Sequence, residues 1–398
     1  MKKKILFVDD EQFVLDGMKR SMRKMRGQWE TDFANSGHAA LEKISSSHYD
    51  IIVSDMRMPK MNGAQLLQEV KRRDPQTIRF MLSGYSDQDL ILQSLNATHQ
   101  FLNKPCNPTH LMEAMARAED IEQFLGNKEL ESLLKGMNRV PSIPSLYRAV
   151  NEKLDEPSCD LQEIAELIKQ DPGSTAKILS IVNSAFFGNP QKMVDPLEAI
   201  QYLGLEIVKS LLLSSQIFSQ FEEVEKRGFP IDSLCNQSLK TAHLASKIAA
   251  FEKAEKKTID EAFTGGLLHD IGQLILYFNF PDTYNEIFEK TKNGQVSLSD
   301  LEEELIGSSH AEVGSFLLGL WGLPLPIIDA IRMHHSPNLS SDLKFSALTA
   351  VHVASAEMKE ESLKTTEDKV DLEYLKKLGL DDHLPDWIEL INNNQGDF

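Results

Sequence analysis

Ile51-Ile52-Val53-Ser54-Asp55 is a short apolar run closed by a carboxylate, and Ile5-Leu6-Phe7-Val8-Asp9-Asp10 repeats the pattern near the start of the chain. Runs of this kind, with no polar break, read as buried strands of a parallel sheet. Arg79-Phe80-Met81-Leu82 is another, ended by the hydroxyl of Ser83, and His99-Gln100-Phe101-Leu102-Asn103 is the next, ended by Lys104-Pro105. In open parallel sheets, functional groups gather just beyond the carboxyl ends of the strands. Asp9, Asp10 and Asp55 should therefore converge on one crevice. Three carboxylates that close repel one another unless a cation sits among them.

A hard divalent cation with oxygen ligands, Mg²⁺ by preference, resolves that repulsion. It would also neutralise the charge of a phosphoryl group carried on Asp55. The Lys104 ammonium can pair with a carboxylate or with phosphate oxygens, and the Ser83 hydroxyl can donate to the same oxygens. A lone Asp after a strand is usually a turn residue, and a lone Lys is usually solvated. The order and spacing of all four features together set the reading.

Residues 1 to about 120 resemble the response-regulator receiver family, and Asp55-Met56-Arg57-Met58-Pro59-Lys60-Met61-Asn62-Gly63 is similar to its phosphorylation loop. The resemblance implies a doubly wound, flavodoxin-like α/β fold on a five-stranded parallel sheet. It implies that Asp55 is the phosphoacceptor, and that Asp9, Asp10, Asp55 and the backbone carbonyl of Arg57 hold Mg²⁺. Ser83 and Lys104 would bind the phosphoryl group. Phe101 occupies the switch-aromatic position, where Tyr is common, so a step that uses a Tyr hydroxyl is in doubt here. The Lys104-Pro105 bond is expected to be cis, which costs little before proline.

At 398 residues the chain is too long for one such domain. Its 41% hydrophobic content suffices for buried cores, and a net charge of −18 argues against a nucleic-acid-binding output. Cys106, Cys159 and Cys235 are widely separated and show neither metal nor disulfide spacing, which fits a reducing cytoplasm. No signal peptide is evident, and no apolar run reaches bilayer length. A cytoplasmic protein is expected.

Beyond the first 120 residues the alternation of strand and helix stops. The stretch 114–134 reads as a helix leaving the first domain. Its apolar positions fit dimerisation and docking on the second domain equally well. Val140-Pro141-Ser142-Ile143-Pro144 is a sharp break, and the apolar spacing that follows is helical. Leu161-Ile164-Ala165-Leu167-Ile168 shows it, and Asp171-Pro172 starts a helix. The second half is therefore expected to be all-α. Leu372, Leu375 and Leu378 predict a short helix packing back. Pro385-Asp386-Trp387 is expected to break the pattern and leave a loosely held tail.

The phrases Val140-Pro141-Ser142-Ile143-Pro144, Val182-Asn183-Ser184-Ala185, Ala199-Ile200-Gln201-Tyr202-Leu203-Gly204, Gly266-Leu267-Leu268-His269-Asp270-Ile271-Gly272 and Trp321-Gly322-Leu323-Pro324 resemble the HDOD family. This is the signalling branch of the HD phosphohydrolases, related to HD-GYP proteins. The expected domains are a receiver (1–120), a helical linker (121–139), an HDOD domain (140–385) and a C-terminal tail (386–398).

His269, Asp270, His310, His334 and His335 form the candidate metal set, of a type that suits Mn, Fe or Zn. The HD resemblance also demands a His before Ser238 and an Asp on a late helix, where this chain has Gln237 and Ser355. His243 lies six residues past Gln237, about 240° around a helix, and cannot replace it. His352 lies about 300° before Ser355, near that face but not at the matched place. The Lys that often follows His-Asp-x-Gly is Gln273, and no Gly-Tyr-Pro phrase follows His335-Ser336. One ion site, Asp270 with His310, His334 and His335, survives on paper. The same imidazoles also fit a hydrogen-bonded polar interior. His38, His48 and His110 carry no motif and are expected at the surface.

The expectation is a response regulator phosphorylated by a histidine kinase or a small phosphodonor. Its noncatalytic HDOD domain would act on an output protein, with a cyclic-dinucleotide enzyme as the candidate by family analogy. The rival is a receiver-gated, metal-dependent phosphodiesterase of the HD superfamily. Neither nucleic acid nor membrane is expected as a partner, and a homodimer stays open.

Overall fold

The computed structural model describes residues 2–25, 29–74, 77–83, 97, 98, 100–103, 111, 115, 133, 137, 141, 143–154, 156, 159–184, 187, 192–221, 228–291, 296–321, 323–358 and 370–394. The chain divides into two compact units, Met1–Gly136 with Leu317–Leu325, and Met137–Phe316 with Pro326–Phe398.

The first unit is built on β1 (Lys3–Val8), β2 (Trp29–Ala34), β3 (Ile51–Asp55), β4 (Ile78–Ser83) and β5 (Gln100–Asn103), in the order β2-β1-β3-β4-β5. Every pairing is parallel. Helices α1 (Gln12–Ser21), α2 (Gly37–Ser46) and α3 (Gly63–Arg73) connect the first four strands. The central strands are buried on both faces. Ile5, Phe7, Ile51, Val53, Phe80 and Leu82 pack with Leu15, Met22 and Trp29. The alternate residues Leu6, Ile52 and Met81 are buried as well, as are Leu66, Leu67 and Val70 of α3. Continuous apolar runs are what a sheet covered on both sides requires.

The second unit is helical. It runs through α4 (Ser145–Leu154), α5 (Leu161–Lys169), α6 (Pro172–Val182), α7 (Pro196–Leu203), α8 (Leu205–Gln220), α9 (Ile231–Phe251), α10 (Lys256–Leu268) and α11 (Ile271–Asn279). The chain continues through α12 (Pro281–Thr291), α13 (Leu298–Ile306), α14 (His310–Leu320, of which 317–320 are grouped with the first unit), α15 (Leu325–Met333, of which Leu325 is grouped with the first unit), α16 (Ala347–Met358), α17 (Leu372–Leu378) and α18 (Leu384–Asn394). Local chemistry sets many boundaries. Asp160, Asp171, Asp195, Ser297 and Asp371 each accept a backbone N–H as an N-cap, with proline at the next position after Asp171 and Asp195. Gly307 and Gly379 end their helices in the left-handed region.

The chain end departs from the sequence expectation. Residues 386–394 are not a loose tail, because Pro385 lies in the first turn of α18 rather than breaking a helix. Trp387 and Ile391 are buried in a core shared with Leu244, Ile248, Val351, Ala354 and Leu375. The Trp387 indole N–H donates to Glu252 at 2.9 Å. The expected linker helix 114–134 lies outside the described residues except Met115 and Leu133. Among the described residues, no helix is long and apolar enough to cross a membrane.

Candidate functional site

Strand register brings the first cluster together. Val8 of β1 pairs with Ser54 of β3, so Asp9 and Asp55 follow side by side at the carboxyl edge of the sheet. Ligand oxygens of Asp9, Asp10 and Asp55 all lie within 4.8 Å of one another, with Asp9 and Asp55 buried and Asp10 exposed. The Glu11 amide donates to Asp9 Oδ1 at 2.9 Å, and the Met56 amide to Asp55 Oδ1 at 2.7 Å. Three carboxylates are the hard oxygen donors that Mg²⁺ takes, and the residues present fit that ion. Arg57 is exposed in the loop that follows.

The loop is held tightly. Asn62 and Gln65 form a capping box at the start of α3, and the Gly63 amide donates to the Met56 carbonyl at 2.9 Å. A Cβ on Gly63 would stand 2.1 Å from the Asp55 carbonyl oxygen, so only glycine fits there. The backbones of Ser83 and Phe101 are in β4 and β5, where Ser83 pairs with Asn103 and Phe101 with Met81. Their side chains, and Lys104-Pro105 altogether, lie outside the described residues.

The second cluster is built from imidazoles. Ligand atoms of Asp270, His310, His334 and His335 lie within 4.8 Å of one another, and the first three residues are buried. Asp270 precedes α11, His310 opens α14, and His334 and His335 follow α15. Asp270 Oδ1 is 3.2 Å from His310 Nε2 and 3.8 Å from His334 Nε2. His335 Nε2 is 3.2 Å from His310 Nε2. His334 Nδ1 bonds the Ile331 carbonyl at 2.7 Å, while its Nε2 is buried with no hydrogen-bond partner among the described residues. An orphaned imidazole nitrogen facing a carboxylate and two more imidazoles fits a divalent transition metal.

Helix packing makes this convergence possible. A Cβ on Gly272 would fall 1.9 Å from the His310 carbonyl oxygen, so glycine lets the start of α11 lie directly against the start of α14. Burial alone would raise the Asp270 carboxyl, yet the imidazoles of His269 and His310 hold it well below its ordinary range. Burial would lower His310, but the carboxylates of Glu302 and Asp270 raise it well above its ordinary value. His334 is lowered by burial and by His335 and His269.

The remaining candidates fall elsewhere. His269 bonds the Gly266 carbonyl through Nδ1 and faces Asp270 Oδ2 at 3.3 Å, with its ring edge-on to His334 at 5.0 Å between centroids. Gln237 is half-buried on α9, and the His243 ring sits edge-on to Phe187. Ser355 donates to the His352 carbonyl at 3.1 Å within α16. His352 is structural, since its Nδ1 bonds the His334 carbonyl at 2.6 Å and its Nε2 accepts the Asp371 amide at 2.8 Å. His38 and His48 are exposed, and His110 lies outside the described residues. The sequence reading missed Glu302 and Tyr284. Glu302 shares the 298, 301, 302, 305 stripe with three leucines, a spacing that turns it inward.

Comparison with known proteins agrees with both halves. A family model of the response regulator receiver domain matches residues 5–116, and one of the HDOD domain matches 140–337. The chemotaxis protein CheY of Thermotoga maritima is 30% identical over 116 residues, covering 29% of this chain and 96% of that protein. A Treponema pallidum relative described only as an uncharacterized protein is 27% identical over 251 residues, covering 62% of this chain and 48% of its own length. An HDOD domain protein of unknown function from Geobacter sulfurreducens has the same fold, with 22% identity, a TM-score of 0.53, and coverage of 69% of this chain and 97% of that one. The chain spans about half or less of the curated relatives first matched, 48%, 45% and 25% of their lengths. It belongs to the response regulators, with an HDOD domain joined to its receiver. Its second domain is thereby related to the HD phosphohydrolase-like proteins, and its receiver implies a phosphodonor such as a histidine kinase.

Proposed function

We propose that this chain is a phosphorylation-switched regulator whose HDOD unit acts by protein contact rather than by hydrolysis. The gathering of Asp9, Asp10 and Asp55 at one sheet edge carries the reading. An Asp55 carboxylate oxygen attacks phosphorus as the bond from phosphorus to the donor atom breaks, and the donor leaves with that electron pair, as imidazole from a kinase phosphohistidine or as acetate from acetyl phosphate. Asp9, Asp10 and the Arg57 carbonyl would hold Mg²⁺, which when bound neutralises phosphoryl oxygens. Ser83 and Lys104 bind those oxygens, and Phe101 responds to them. Incubation with acetyl phosphate and Mg²⁺ should add one phosphoryl group by intact mass, with acetate released. Labelling that persists in Asp55→Asn refutes the assignment.

The noncatalytic reading of the HDOD unit is supported by Gln237 and Ser355, which stand where the HD phosphohydrolases carry ligands. The output partner is a protein, with a cyclic-dinucleotide enzyme as the first candidate by family analogy. Affinity capture with phosphorylated and unphosphorylated chain should return different partners.

A second reading keeps one Mn, Fe or Zn ion at Asp270, His310, His334 and His335, favoured by the orphaned His334 Nε2. An ion held there supplies Lewis acidity. Metal analysis of the purified chain, followed by an assay on cyclic dinucleotides, separates an ion-holding scaffold from a hydrolase. Turnover that vanishes in Asp270→Asn would favour the enzyme.

A further inference from the structure

Glu302 is 0% exposed, and a carboxylate is almost never fully buried unless paired. Its partners are specific. Glu302 Oε2 accepts from the His310 ring at Nδ1 (2.6 Å) and from the His310 backbone amide (2.7 Å). Glu302 Oε1 accepts from the hydroxyl of Tyr284, itself buried on α12.

An ionised carboxylate only accepts hydrogen bonds, so His310 Nδ1 must carry the hydrogen. With the Nδ1 hydrogen held there, the nitrogen that can give up its proton to a metal ion is Nε2, the atom 3.2 Å from Asp270 Oδ1 and 3.2 Å from His335 Nε2. We infer that Tyr284 and Glu302 form a positioning pair that fixes the tautomer and orientation of His310, committing its Nε2 to a divalent metal ion. This rests on the single-ion reading above. Helix capping alone does not account for the arrangement. A cap needs one oxygen on the His310 amide, whereas here the same oxygen also holds the ring and a tyrosine holds the other. Carboxylates behind metal-binding imidazoles raise ligand basicity, and their loss typically weakens metal affinity about 10–100-fold.

The test uses the full chain, stripped with a chelator and titrated with Zn²⁺ against a chromophoric competitor, then with Co²⁺ by visible absorption. The parent should bind one ion. Glu302→Gln keeps an amide oxygen for the cap but removes a buried charge paired with His310, so metal-free thermal unfolding is measured beside it and affinity is compared at a temperature where both proteins are folded. Its Zn²⁺ affinity should fall on the order of 10–100-fold with a shifted Co²⁺ spectrum. Tyr284→Phe should weaken binding in the same direction by a smaller factor. A parent that binds no ion overturns both the single-ion reading and this inference. A parent that binds, with both variants equal to it in affinity and Co²⁺ spectrum, overturns the positioning role alone. If Glu302→Gln does not fold, Tyr284→Phe decides, and parental affinity there refutes the pair.

Discussion

The two clusters of ionisable side chains are built on opposite plans. In the receiver, three carboxylates meet at the open edge of a sheet, with Asp10 exposed. In the HDOD unit, one carboxylate meets three imidazoles in a largely buried setting, with Glu302 behind them. The first plan suits an exchanging Mg²⁺ and a phosphodonor that must reach Asp55 from solvent. The second suits a borderline ion held by ligands whose other ring atoms are already committed, as His334 Nδ1 is to Ile331 and His310 Nδ1 is to Glu302.

The sharpest way to break this contrast is a crossed pair of isosteric substitutions. Asp55→Asn should abolish labelling by acetyl phosphate and leave Zn²⁺ affinity unchanged. Asp270→Asn should leave labelling intact and reduce Zn²⁺ affinity by at least 10-fold. If either substitution removes both properties in a folded protein, the two sites are not independent.

The next largest effect lies in the backbone. Both sites depend on a glycine pressed against the carbonyl of a site residue, Gly63 on Asp55 and Gly272 on His310. Neither collision involves a flexible side chain at its nearest atom, so the backbone itself must shift. Gly272→Ala should cost the upper part of the overpacking range, about 1–3 kcal/mol, and weaken metal binding. Gly63→Ala should cost a similar amount and slow labelling. Chemical denaturation followed by hydrogen exchange at Trp29 and at Trp387 assigns each loss to its unit. A neutral Gly272→Ala would mean that α11 and α14 need not approach so closely.

Legibility in the sequence follows the same divide. The receiver strands were readable because a sheet buried on both faces permits no polar interruption, and because their ends carry the chemistry. The cluster of Asp270, His310, His334 and His335 was readable from resemblance alone, since it draws on three separate places in the chain that no local spacing joins. Glu302 was hidden in Leu301-Glu302-Glu303-Glu304, which reads as a solvated acidic face until its place on the leucine stripe is noticed. The last helix departs from expectation because Pro385 sits in its first turn, where it does not break the helix. Leu384, Trp387, Ile388 and Ile391 recur at helical spacing, and proline is tolerated in a first turn.

The smallest effect separates scaffold from ligand within the imidazoles themselves. His352 joins the His334 carbonyl to the Asp371 amide and has no nitrogen left to bind an ion. His352→Gln should cost about 1 kcal/mol for each bond lost while leaving the metal stoichiometry at one. It should also change the pH dependence of the metal-free protein. His334 and His352 are both lowered from 6.5, the first by burial, His335 and His269, the second by burial. A neutral buried histidine contributes stability above pH 6.5 that is lost as pH falls through its folded value. His310 has the opposite sign, contributing most below 6.5 and losing it as pH rises through its raised value. Below pH 6.5 the His310 contribution is already complete, so the two lowered histidines set the sign there and the HDOD unit should lose stability as pH falls. His352→Gln leaves His334 of the two and should make that slope shallower, as read from thermal midpoints between about pH 6.5 and pH 5. A lost metal ion would place His352 among the ligands rather than behind them, and an unchanged slope would remove its part in the pH dependence.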